Sequence, residues 1–344
     1  MQALHHYFPG GNTPEGFYSF YSEIADGRQP NKLAVIKGGP GTGKSTFLKT
    51  LGKMLSDDGE SVTYLHCSSD PDSLDGIYLP NHNSAVIDGT APHITDARYP
   101  GAYDMVLNFC DFIGPVSDCE NVVLESGNAK RAFSEGYCYL KSAKSLLNLM
   151  HIRSEQVLIQ DEVRSFASAI AKRISSCSAG GLKKNVFLSA ITADGFCNFI
   201  TENLKDYYVI ALDTQAGDAS YHVMQTVATA CELRNADMIV CRCPMNPDKA
   251  EHLLFPSANL ALVTSNEYHP CFQADEIVSF SDFVSCKTSD TKLQILYDTL
   301  LHRAVDTFFK AREHHNRLEA IYQTVTDYPK IDSFYHKTQN FLIS

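Results

Sequence analysis

Val35-Ile36-Lys37-Gly38-Gly39-Pro40-Gly41-Thr42-Gly43-Lys44-Ser45-Thr46 decides how this chain is read. A short apolar strand runs into a glycine-rich turn, and a helix-forming segment follows. The spacing Gly38-x4-Gly43-Lys44-Ser45 has a mechanical reason. Glycines let successive backbone N–H groups turn inward around phosphate oxygens, where a Cβ would obstruct them. Lys44 is placed to reach the β- and γ-phosphates of a nucleoside triphosphate, and the Ser45 hydroxyl to ligate Mg²⁺. A helix beginning near Lys44 points its positive end at the anion. The expected nucleotide-binding residues are therefore Gly38, Gly39, Pro40, Gly41, Thr42, Gly43, Lys44, Ser45 and Thr46, with ATP and Mg²⁺ as ligands.

Laying the chain on itself exposes an internal repeat. Phe8 to Phe20 matches Phe187 to Phe199 at Phe, Thr, Gly, Phe and Phe. Further on, Cys67, Pro71 and Asp72 line up with Cys243, Pro247 and Asp248, and Pro80, Asn83, Ala85 and His93 with Pro256, Asn259, Ala261 and His269. Asp104, Phe109, Asp111 and Phe112 continue the register onto Asp275, Phe280, Asp282 and Phe283. The repeat separates scaffold from chemistry. Where the first half carries the loop, the second reads Val209-Ile210-Ala211-Leu212-Asp213-Thr214-Gln215-Ala216-Gly217-Asp218-Ala219. The strand survives, but Asp218 replaces the lysine and would set a carboxylate beside phosphate oxygens, a like-charge arrangement. Ser84-Ala85-Val86-Ile87-Asp88 likewise becomes Leu260-Ala261-Leu262-Val263-Thr264.

Asp88 is thus the expected acid for Mg²⁺, since it ends an apolar run that reads as a buried parallel strand. Mg²⁺ keeps several waters, so one hydroxyl and one carboxylate, Ser45 and Asp88, suffice. The competing acids Asp161 and Glu162 follow Val157-Leu158-Ile159-Gln160, but Ile159, Val163, Phe166, Ile170 and Ile174 recur at helical spacing, which makes that segment an amphipathic helix. No Glu follows Asp88, so hydrolysis is less securely indicated than binding. Asp70, Asp72 and Asp75 follow the apparent strand Val62 to His66, at the sheet edge where ligands sit, and one of them would orient water or contact the metal. Asp70 is taken with Lys44 and Asp88 as catalytic, because Asp72 has a counterpart in the degenerate half. His93, matched by His269, reads as structural; Arg98 is an unmatched candidate for a γ-phosphate contact.

At 344 residues and 44% apolar content the chain can bury two cores. A formal charge of −11 with no basic run argues against broad nucleic-acid binding. Eleven scattered cysteines, with Cys241-Arg242-Cys243 lacking zinc spacing, read as reduced thiols. No basic-then-apolar leader and no membrane-length run are seen, so the expected location is cytoplasmic. Strands alternating with helices predict a parallel α/β sheet in each half, residues 1–180 and 184–344, with the boundary in the small-residue stretch 175–181. Helical stripes through Phe133, Tyr137, Leu140 and Leu147, and through Leu293, Leu300, Ala304 and Phe308, predict a long helical extension for each half.

With these residues in view, the chain resembles a largely uncharacterised family of bacterial P-loop ATPase-like, ATP-binding proteins built from two related repeats. The resemblance rests on Tyr7-Phe8-Pro9-Gly10-Gly11-Asn12-Thr13-Pro14-Glu15-Gly16-Phe17, on the loop 37–46, and on Val86-Ile87-Asp88-Gly89-Thr90-Ala91-Pro92-His93. It implies two tandem P-loop NTPase-like domains with ATP binding and hydrolysis at the first; the family pattern allows a phosphate loop in the second repeat as well, and this chain departs from it by lacking that loop. The alternatives are a small-molecule kinase, with Asp70 or Asp72 as base for an acceptor hydroxyl, and an ATP-gated interaction module.

Overall fold

The computed structural model describes residues 4–24, 32–174, 181–271 and 273–344. The boundary read at 175–181 therefore lies, apart from Gly181, outside the described residues. The first repeat contains β1 (His6–Tyr7), β2 (Gly10–Thr13), β3 (Gly16–Ser19), β4 (Lys32–Lys37), α1 (Lys44–Asp57), β5 (Thr63–His66), β6 (Leu74–Leu79), β7 (Ser84–Asp88) and β8 (Asp104–Asn108), then α2 (Cys119–Glu155) and α3 (Gln160–Arg173). The second contains β9 (Lys183–Val186), β10 (Ser189–Thr192), β11 (Gly195–Asn198), α4 (Ile200–Asn203), β12 (Tyr208–Asp213), α5 (Ser220–Glu232), β13 (Met238–Cys243), β14 (Asn246–Phe255), β15 (Leu260–Ser265) and β16 (Glu276–Ser279), then α6 (Thr291–Gln323), α7 (Tyr328–Ile331) and α8 (Phe334–Ile343).

Each repeat builds a six-stranded sheet, ordered β1-β5-β6-β7-β4-β8 in the first and β9-β13-β14-β15-β12-β16 in the second. These are the same order, position for position. The small hairpins β2–β3 and β10–β11 also pair in the same register, Thr13 with Gly16 and Thr192 with Gly195. The sheets are mixed, which corrects the expectation of parallel ones. β6 runs antiparallel to both β5 and β7, as β14 does to β13 and β15, while the other pairs are parallel. The cause is the short connection from β5 to β6. Cys67 N donates to Ser73 O and Ser73 N to Asp70 O, and a turn of that length can only return the chain antiparallel. β6 has no clean apolar pattern because Asp75 and Gly76 interrupt it. Gly76 is required there: a Cβ would stand 2.7 Å from the Val86 carbonyl oxygen.

Strand alternation sorts the core into layers. Leu33, Val35, Ala85 and Ile87 of the first sheet face Val209, Ala211, Ala261 and Val263 of the second in one shared core. The opposite faces, Ala34, Ile36 and Val86 in one and Ile210, Leu212 and Leu262 in the other, are covered by helices. The result is helix, sheet, sheet, helix. The helical cover is exchanged between repeats. α3 of the first repeat packs Val163, Ala167 and Ile170 with α5 on the second sheet. α7 and α8 of the second repeat return Ile331 and Leu342 to the first sheet beside α1. The expected long extensions are α2 and α6, which lie antiparallel. Arg153 pairs with Asp290 at one end, Phe133 and Tyr137 meet Phe308 in the middle, and His314 and Arg317 reach Glu125 at the other. No helix among the described residues is long and apolar enough to cross a membrane.

Candidate functional site

The stretch between β4 and α1 forms a tight loop whose conformation needs its glycines. Gly41 and Gly43 adopt φ of 66° and 82°, the left-handed region that a β-carbon disfavours. Gly43 caps α1, so the helix begins at Lys44 and its first N–H groups point into the loop. The Thr42 hydroxyl donates to the Gly39 carbonyl at 2.7 Å and braces the turn from inside. Lys44 folds back over the loop: its ammonium donates to the carbonyls of Gly38 at 3.1 Å and Gly39 at 2.7 Å and stands 3.5 Å from Asp88 Oδ2. The Ser45 hydroxyl oxygen accepts the Leu74 amide at 3.0 Å, which leaves it a further lone pair. Thr46 is exposed on the first turn of α1.

Asp88 ends β7 next to β4, so sheet register brings it to the loop. Its Oδ1 accepts from the Thr90 amide at 2.9 Å and hydroxyl at 2.6 Å, which fixes the carboxylate and turns Oδ2 toward Lys44. Lys37, the last residue of β4, holds the segment beyond by donating to Gly89 O, Thr95 O and Asp96 Oδ1. Beside Asp88 lie Asp75 on β6 and His93. Among the described residues these are the three metal-binding side chains whose ligand atoms gather within 4.8 Å of one another. All three are buried. Tyr21 donates to Asp75 Oδ2 at 3.0 Å and stacks on the His93 ring at 4.9 Å between centroids. Burial pushes the Asp75 carboxyl above its ordinary value; His93 opposes that shift and Asp88 adds to it. The donor set of two carboxylates and an imidazole fits a divalent cation.

The second repeat reaches back over this loop. The last turns of α6 lie against Gly41 at Glu319, and the Tyr328 hydroxyl donates to the Gly41 carbonyl at 2.7 Å. A Cβ on Gly41 would lie 2.5 Å from the Glu319 backbone oxygen. The His315 hydrogen bond holds the Glu319 carboxyl below its ordinary range, with the Gly41 amide and Lys44 adding to the effect.

Of the three acids after β5, the structure brings Asp75 to Asp88. Asp70 accepts the Ser73 hydroxyl at 2.6 Å within the β5–β6 turn, and Asp72 lies in the same turn. The Arg98 side chain is exposed, and its backbone amide donates to Asp104. Asp161 is in the first turn of α3, paired with Arg164, on the helix that covers the other sheet. Asp75 with His93, and Glu319 with Tyr328, were not assembled from sequence. A signal for the first pair exists, since the register that aligns His93 with His269 also aligns Asp75 with Glu251.

In the second repeat the matching loop is closed by its own residue. Asp218 accepts from the Thr214 hydroxyl at 3.0 Å and the Gln215 amide at 2.8 Å. Thr264 stands where Asp88 would, and its hydroxyl donates to the Glu251 carbonyl. Met150 of α2 presses on Gly217, and a cavity of about 340 Å³ opens among Gln215, Asp218, Glu267, Asp290 and Gln294. The cysteines among the described residues are all free. Compared with known proteins, the chain matches no family model, no curated protein and no solved structure.

Proposed function

We propose that the chain binds a nucleoside triphosphate, taken as ATP, with a divalent cation at the loop 38–46, and hydrolyses it slowly at this single site. The observation that carries the reading is the left-handed glycine turn opening onto a helix N-terminus with Lys44 3.5 Å from Asp88 across it. In this reading Lys44 exchanges its two loop carbonyls for phosphate oxygens, and the loop amides and helix start hold the remaining charge. Ser45 and Asp88 hold Mg²⁺, which supplies charge neutralisation on the phosphates. Slow turnover follows from two features. No acid directly follows Asp88 to activate water, and the end of α6 crowds the loop at Gly41, where a Cβ would lie 2.5 Å from the Glu319 backbone oxygen.

Titrating a non-hydrolysable Mg-ATP analogue by calorimetry should saturate near one equivalent per chain. Lys44→Ala should weaken that binding by about a hundredfold, the loss of a charged phosphate contact being worth about 3 kcal/mol. Asp88→Asn keeps the shape and removes the charge, so Mg²⁺-dependent phosphate release should fall more than binding does. Undiminished affinity in folded Lys44→Ala would sink the reading, as would two equivalents per chain with the second surviving that change.

A further inference from the structure

The Asp75, Asp88 and His93 cluster contains more than a Mg²⁺ site needs. Mg²⁺ prefers oxygen ligands, keeps most of its waters, and is served by one hydroxyl and one carboxylate. Here a second carboxylate and an imidazole are added, all within 4.8 Å. The imidazole is the telling group. His93 is 8% exposed; its Nδ1 is buried without a hydrogen-bond partner, but so is the Nδ1 of His269 in the second repeat, so that atom belongs to the shared scaffold. Its Nε2 faces Asp75 Oδ2 at 3.6 Å, too long for a hydrogen bond. Stacking on Tyr21 and contact with Phe17 at 5.9 Å fix the ring in that aim. The Nε2 is thus held toward two carboxylates at a separation that makes no hydrogen bond and leaves space for a cation among the three ligand atoms.

The second repeat provides an internal control. Glu251 and His269 occupy the places of Asp75 and His93, and there the contact closes to 3.2 Å as a buried ion pair. Thr264 replaces Asp88, so no second carboxylate faces the pair. The acid–histidine pair belongs to the scaffold of both repeats. What is confined to the first is the second carboxylate, and with it the wider spacing of the pair; in the second repeat it is His252 Nε2 that faces Glu251, at 3.6 Å.

We propose that Asp75, Asp88 and His93 bind one divalent ion of the imidazole-accepting first-row transition class, with Mn²⁺ as its probe, in preference to Mg²⁺. Imidazole joined to two carboxylates suits Mn²⁺, Fe²⁺, Co²⁺ or Zn²⁺, whereas Mg²⁺ gains little from nitrogen. The site shares Asp88 with the proposed nucleotide site and so deepens that reading. It is measured without nucleotide, so either can fail alone.

The test uses the full chain stripped of metal. Mn²⁺ titration followed by the EPR signal of the free ion should give one equivalent, and pulsed EPR of the bound ion should detect nitrogen coupling from an imidazole. His93→Gln should abolish that coupling and weaken binding by at least about tenfold; Asp75→Asn should weaken it without abolishing the coupling. Mg²⁺ should displace Mn²⁺ only at about a hundredfold excess or more. Bound Mn²⁺ without nitrogen coupling in the unaltered protein, displacement by equimolar Mg²⁺, or absence of binding would each overturn the proposal, whatever the variants do. Mn²⁺ bound with nitrogen coupling while ATP fails to bind would overturn the nucleotide reading alone.

Discussion

Histidines that cannot accept a proton in the folded chain make its stability a function of pH. His252 is fully buried, and its Nδ1 accepts the Thr264 amide at 3.0 Å. Burial lowers its pKa to about 4, against a raising influence from Glu251. His151 accepts from the Lys249 ammonium at 3.0 Å, and burial, reinforced by that charge, lowers it to about 3. Burial also lowers half-buried His66 to about 4. All three folded values lie below the ordinary 6.5, so the unfolded chain takes up protons that the folded chain refuses. Stability is therefore complete above pH 6.5 and is lost as pH falls through the range from 6.5 to 4. Asp75, raised by burial, works in the opposite direction as a single group. Glu251, which burial would raise but His269 holds at about 2, keeps its stabilisation through most of that range and loses it as pH falls from about 4.5 toward 2. The urea midpoint should be lower at pH 5.5 than at 7.5, with His151 and His252 each costing about 1 kcal/mol. A midpoint that holds or rises on acidification would contradict this. At this scale the loop and Asp88 were legible in the sequence because their spacing is the chemistry. Asp75 was not singled out from Asp70 and Asp72, because three acids within six residues look alike until strand pairing sets β6 in place.

Among the elements, α6 has two tasks. Its apolar side, Tyr297, Leu301, Ala304 and Phe308, packs on α2, while its last turns set Glu319 against Gly41 of the glycine loop. The Glu319 carboxylate stands near the loop and interacts with the Lys44 charge, so it competes with a phosphate for that lysine. Glu319→Gln keeps an acceptor but removes the competing charge from beside Lys44. Nucleotide affinity should rise on the order of tenfold, a charged hydrogen bond being worth about 1.5 kcal/mol or more. Equal or weaker affinity, measured by the same titration, would mean the contact does not compete. Sequence reading found α2, α3 and α6 from their stripes, because a stripe at three- and four-residue steps reports a buried face. It does not report which surface buries that face. Hence the contact of α6 with the loop, and the strand β6 with Asp75 and Gly76 in its middle, came only with the structure.

For the whole molecule, the repeat was legible since Phe, Gly, Pro and Asp positions recur in order, and the two sheets share one topology. The exchange of α3 for α7 and α8 was not, because either sheet offers an equally apolar face. It has a direct outcome for cut chains. A fragment 1–174 lacks Ile331 and Leu342 over Ala34 and Ile36, and a fragment 181–344 lacks Val163, Ala167 and Ile170 over Ile210 and Leu212. Both also expose the sheet face that the other would cover. Alone, neither fragment should give a cooperative thermal transition; mixed, they should co-purify and recover one. A fragment that melts cooperatively by itself would mean that the exchanged helices are dispensable.

That exchange also limits what drift can remove from the gene. A repeat that loses its chemistry is ordinarily free to be deleted, but here the second repeat roofs the first and shares its core. The turn from Thr214 to Ala219 answers to its own needs, with Asp218 bonded within it, Gly217 at a φ of 91° beside Met150 and Ala219 in the core. Ile331 and Leu342, more than a hundred residues further on, answer to the other repeat, because they close the sheet that carries the glycine loop. Selection on the first site is therefore written into the far end of the chain.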